Sequence, residues 1–146
     1  MSGSENSGRI RIDEDVIRYT SHTDPDWTLR VADIRIFGEA TNQHGAFADD
    51  YFLCFATGLG SWHEASFYAN GREHFLSALS EKLGVQFRLQ LTASTDFASR
   101  ILWPVELVGK PMFKYEDVPP KTWIGRLIGT RQISQTYADH VLSALK

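Results

Sequence analysis

Hydrophobic and polar positions change period most clearly at residue 70 of this chain. Up to about residue 69 they alternate in short runs broken by turn residues, and from 70 to 84 they follow a helix. Ile10 and Ile12 alternate with Arg9 and Arg11, which predicts a strand over 9–20, turned or bent near Asp13–Asp15. The cluster SHTDPD at 21–26 predicts a turn, and strands follow over 27–31 and 34–41. The run YFLCFAT at 51–57 is apolar on both faces and predicts a strand covered on both sides. A Gly-rich turn at 58–61 and a return strand over 62–69 complete a hairpin.

The helix at 70–84, NGREHFLSALSEKLG, has Asn70 as a candidate N-cap and Glu73 three residues on, as a capping box requires. Phe75, Leu76, Leu79 and Leu83 make one apolar stripe, and Gly84 supplies the left-handed stop. Beyond it, VQFRLQLT at 85–92 alternates as a half-buried strand. The spacing of Phe97, Ile101 and Leu102 predicts a short helix over 94–103, and 112–115 reads as a short strand. DVPPK at 117–121 reads as a stiff linker. Ile133, Tyr137, Val141 and Leu145 at i+4 spacing predict a helix over 133–146.

Strands followed by a covering helix give an α+β fold: an antiparallel sheet or partly open barrel covered by one helix, with a C-terminal helical extension. The predicted organisation is a flexible tail at 1–8, an α+β domain at 9–116, and a linker plus helix at 117–146 packed on the domain or on a partner.

The segment from Trp27 to Leu83 carries WTLRVADIRI, the hairpin YFLCFAT with WHEASFYA, and the helix behind it. In that order of strands and helix it resembles the pleckstrin-homology-like domains of bacterial proteins. The resemblance implies a partly open barrel plugged by a helix and used mainly as a binding scaffold. The basic loop with which some members hold phosphoinositides is not matched, because SHTDPD is acidic.

Composition narrows the classes of function. At 146 residues and 42% hydrophobic, the chain is long and apolar enough for one folded domain. The polar start MSGSENSGR, a single cysteine and the lack of any apolar run near ~20 residues predict a cytoplasmic protein with no membrane span. The net charge is −3, but residues 1–84 hold 7 basic and 13 acidic side chains and residues 85–146 hold 8 and 5.

No cofactor or metal follows from the motifs. His63-Glu64 begins H-E-x-x-H, but Phe67 stands where the second histidine belongs. Gly58 and Gly60 lack the third glycine of a dinucleotide loop. Cys54 lies among large apolar residues, which predicts an inert core thiol.

Three functional expectations remain. The first is a non-catalytic binding or assembly module, in which Trp62, Trp103 and Trp123 form an apolar patch for a protein partner or for self-association. The second is a small-ligand or metal-dependent enzyme built on the 44–50 loop, with His44, Asp49 and Asp50, against the simpler expectation that these side chains keep a loop hydrated. The third is single-stranded nucleic-acid binding by Arg88, Arg100, Lys110, Lys114, Lys121, Arg126 and Arg131 with the interleaved Trp103, Phe113, Tyr115 and Trp123; the sequence pI near 5.9 argues against it.

Overall fold

The computed structural model describes residues 7–22, 25–41, 51–89, 98–118 and 132–146. It is an α+β fold of open antiparallel sheets that do not close into a barrel. The first sheet is a meander of β1 (Arg9–Asp13), β2 (Val16–Thr20) and β3 (Trp27–Arg30). The bend foreseen in the first strand is a tight hairpin. Asp13 pairs with Val16, and Glu14 between them takes a left-handed φ of 53°.

The central sheet has the order β6-β5-β4-β7, from β4 (Ile36–Thr41), β5 (Tyr51–Ala56), β6 (His63–Ser66) and β7 (Ala98–Trp103). The doubly apolar run is indeed an inner strand, with β4 on one side and β6 on the other. Because successive side chains of a strand point to opposite faces, it feeds two separate cores. Leu53 and Phe55 join Phe37, Ile10, Ile17, Tyr19 and Leu29, closed by Phe75 and Leu79 of helix α1 (Arg72–Leu83). Cys54 and Ala56 join Ile36, Ala40 and Ile101. That second core is closed by Met112 and Phe113, by Tyr137, and by Val141 and Leu145. These come from the hairpin of β8 (Phe113–Val118) and β9 (Gln132–Tyr137) and from helix α2 (Asp139–Leu145). The central sheet is therefore sandwiched.

Several expected elements are different, each for a physical reason. Helix α1 begins one residue late. Asn70 does not cap it; its backbone bridges to β1, accepting from Ile10 N and donating to Gly8 O, both at 2.9 Å. The cap position is Gly71, at φ 85°, where a Cβ would lie 2.5 Å from the Ile10 carbonyl oxygen. Gly84 ends the helix as expected, at φ 71°.

Residues 85–89 show the predicted alternation of exposure but pair with no strand among the described residues. Phe87 instead sets its ring edge-on against Phe37 at 5.0 Å. The predicted helix at 94–103 is β7 over its described part. Ile101 and Leu102, adjacent in sequence, go to opposite cores, and a doubly covered strand mimics helical spacing in that way.

The predicted terminal helix is also redrawn, and of the predicted linker only Asp117 and Val118 lie within the described residues. The boundary at 116/117 runs through β8, and Asp117 and Val118 pair with Ile133 and Gln132. Residues 132–137 are strand, and only Asp139–Leu145 is helical. Tyr137, Val141 and Leu145 share a buried side, but Ala138 lies in the extended region and its N–H donates to the Met112 carbonyl at 3.1 Å. Helix α2 packs on its own chain. Arg35, just before β4, donates to the Ala144 carbonyl at 2.8 Å, satisfying a group the helix end leaves open. No helix among the described residues is long and apolar enough to cross a membrane.

The second core is narrow by construction. Beside Ile36 and Ile101, and the half-buried Phe52, its share of the central strands is small residues: Gly38, Ala40, Cys54 and Ala56. A Cβ on Gly38 would lie 2.7 Å from Met112 Sδ and 2.8 Å from the Arg100 carbonyl oxygen. Close approach of the terminal hairpin thus depends on glycine there.

Candidate binding cleft

At the open end of this second layer the Gly-rich turn, the β8–β9 hairpin and α2 leave a cleft of about 440 Å³. It is lined by Leu59, Gly60, Trp62, Lys114, Thr136, Tyr137 and Leu142. The pairing Phe113↔Tyr137 brings two aromatic rings side by side on neighbouring strands, stacked at 5.9 Å. Trp62, just before β6, lies against both, 4.5 Å from Phe113 and 5.1 Å from Tyr137 between ring centres. Its indole N–H donates to Glu64 Oε1 at 2.7 Å, which fixes the ring orientation and leaves a face on the cleft. Leu59 is 53% exposed at the mouth. Lys114 lies at the rim, 3.4 Å from Asp139 Oδ1, an ion pair exposed enough to exchange readily.

A polar tier lies around Cys54. Burial pushes the Tyr137 phenol up to about 12, with the Cys54 sulfur adding to the shift, and pushes Tyr115 higher still. Burial raises Cys54 well above the ordinary thiol value, so it stays protonated, as its sequence context predicts. Tyr115 donates to the Ala98 carbonyl at 3.3 Å. Ser99 Oγ accepts from the backbone N–H groups of Met112 and Phe113 at 3.1 and 3.0 Å. The Tyr137 hydroxyl is buried and has no hydrogen-bond partner among the described residues. Groups held this firmly neutral suit packing and hydrogen bonding better than proton transfer or nucleophilic attack near pH 7.

On the other face, Glu39 of β4 is fully buried and accepts from the Tyr51 hydroxyl. Tyr51 stacks on Phe67 at 4.0 Å, and the Arg72 guanidinium covers Phe67 at 4.3 Å. Burial, with Glu39 adjacent, pushes the Tyr51 phenol far up. This tier closes one end of the first core.

Of the residues singled out from sequence, Trp62 lies in the cleft. Trp103 is half-buried against the first core, on the opposite face of the central sheet, so the two tryptophans share no patch. Trp123, His44, Asp49 and Asp50 lie outside the described residues. Among the described residues no group of three or more His, Cys, Asp or Glu side chains could hold a metal ion. Of the nucleic-acid set, Lys121, Arg126 and Arg131 lie outside the described residues, and Phe113 is only 2% exposed and offers no stacking face. Nothing in the local sequence marks Leu59, Lys114, Tyr137 and Leu142 as cleft residues. Phe113 and Tyr137 are far apart in sequence, and only the strand pairing joins them. Comparison of the chain with family models, curated proteins and solved structures gave no match.

Proposed function

We propose that the chain is a non-catalytic binding or assembly module that takes an aromatic or aliphatic side chain of a protein partner into the Trp62 cleft. The observation that carries this is the Trp62 ring, held by Glu64 and backed by Phe113 and Tyr137, lining an open cleft of about 440 Å³. That size lies within the range of about 300–1,000 Å³ typical of ligand pockets, and rigid aromatic walls lose little entropy on binding. The pleckstrin-homology-like resemblance of 27–83 implies the same kind of use, as a scaffold.

Calorimetric titration with indole, as the smallest mimic of such a side chain, tests it. Wild type is expected to bind saturably, and Trp62→Ala to bind at least about tenfold more weakly, since anchoring aromatics are worth ≥2 kcal/mol in interfaces. Equal heats from the two proteins would remove the cleft from consideration.

A further inference from the structure

The solvent face of the first sheet presents a second, chemically different surface. Its strands bury Ile10, Ile12, Ile17, Tyr19 and Leu29 inward, so alternation sends Arg9, Arg11 and Asp13 of β1, Arg18 and Thr20 of β2, and Thr28 and Arg30 of β3 outward. The register sets Arg9 opposite Thr20, Arg11 opposite Arg18, and Arg18 opposite Thr28. Two arginines therefore face each other directly across neighbouring strands, an arrangement that opposes folding of the sheet. Arg11 has one compensating contact, 3.5 Å to Asp13. Arg9, Arg18 and Arg30 have no ion-pair partner among the described residues. This basic cluster sits within the acidic part of the chain, residues 1–84, where solvation alone would be served as well by mixed charges.

We infer that the outer face of β1, β2 and β3 docks an acidic extended segment of a partner protein, read by Arg9, Arg11 and Arg18. The guanidinium fork matches a carboxylate in two parallel hydrogen bonds, and all four cations on the face are arginine. Arg9 and Arg11 are two residues apart on one strand, so their side chains repeat every ~6.8 Å, the spacing at which an extended peptide presents alternate side chains. The face is about 17 Å long and three strands wide. At one end lie Asp13, Glu14 and Asp15, the last held 3.1 Å from Lys82. The register sets Arg30 in one row with Val16 and Asp13, so a duplex with a charge every ~1.7 Å would run into those acids, whereas a short acidic peptide on Arg9, Arg11 and Arg18 stops before them.

The test is fluorescence anisotropy with a labelled peptide of alternating glutamate and serine, beside a labelled duplex DNA. Wild type is expected to bind the peptide at ~0.01 M ionic strength and more weakly at ~0.15 M, where the screening length falls to about 8 Å. Arg11→Glu/Arg18→Glu is expected to bind it at least about tenfold more weakly, with loss of two charge-assisted contacts. Arg88→Glu/Lys110→Glu changes the net charge equally at exposed positions off the sheet and should leave binding near wild type. Single Arg18→Glu replaces a like-charged pair by an opposite one. It should melt no lower than wild type while binding the peptide more weakly, which separates the docking role from damage to the fold. Binding retained by the double variant, equal loss in the Arg88/Lys110 control, or tighter binding of the DNA than of the peptide would overturn the inference.

Discussion

The two faces of the central sheet are built from the same strands yet end in different states. One carries Phe37, Leu53 and Phe55, large side chains covered by the β1–β3 meander and α1. The other has, beside Ile36 and Ile101, the small residues Gly38, Ala40, Cys54 and Ala56 of β4 and β5, over which β8, β9 and α2 come close. Large residues fill their layer with their own volume. Small ones leave the filling to Met112, Phe113 and Tyr137 from distant parts of the chain, and at its edge that layer stays open as the Trp62 cleft. Binding capacity thus accompanies the face that contributes least volume of its own.

The sharpest way to break this contrast is Phe55→Ala. Phe55 is fully buried and touches the rings of Trp27, Phe37 and Phe75. Its loss should cost about 3–5 kcal/mol in chemical denaturation. A loss below that of a single methylene group would show that the first layer is not the tightly packed one.

Gly38→Ala addresses the other face. The added methyl meets Met112 and a backbone carbonyl that cannot move aside, so stability should fall by about 1–3 kcal/mol and the hairpin should be pushed outward. A neutral outcome would mean that Met112 does not rest on β4 as closely as described.

The two phenols of this layer sharpen the comparison further. Tyr115→Phe removes a hydrogen bond to Ala98 and should cost about 0.5–1.5 kcal/mol. Tyr137→Phe removes a hydroxyl with no partner among the described residues and should leave stability within about 0.5 kcal/mol of wild type or raise it. Reversal of that order would contradict the described polar tier.

The same group gives a dependence on pH. The folded Tyr137 phenol titrates at about 12, above its unfolded value near ~10. Its contribution to stability is therefore fully present below pH ~10 and lost as pH rises through 12. Denaturation midpoints measured across that window should fall less steeply for Tyr137→Phe than for wild type. Identical slopes would assign the alkaline loss to other groups.

Local pattern made much of the central sheet and its first helix legible. The β5–β6 hairpin, the inner position of β5, the inert Cys54 and the Gly84 stop all follow from neighbouring residues. Signals failed where one pattern served two geometries. Ile101 and Leu102 read as a helical pair because a strand buried on both faces shows no alternation. Tyr137, Val141 and Leu145 read as one helical stripe although Ala138 breaks the chain between strand and helix. Asn70 had the chemistry of a cap, but β1 claimed its backbone. Of the site, Trp62 was visible as an aromatic beside a turn. Its setting was not, because Phe113 and Tyr137 reach it only through the β8–β9 pairing.

The most direct measurement of the central claim is a nuclear magnetic resonance titration of the isotope-labelled protein with indole. The account predicts saturable shifts of the Trp62 indole N–H and of the backbone amides of Leu59, Lys114, Tyr137 and Leu142, with Phe55, Phe75 and Leu79 undisturbed. Shifts centred on that second group, or none at saturating indole, would contradict it.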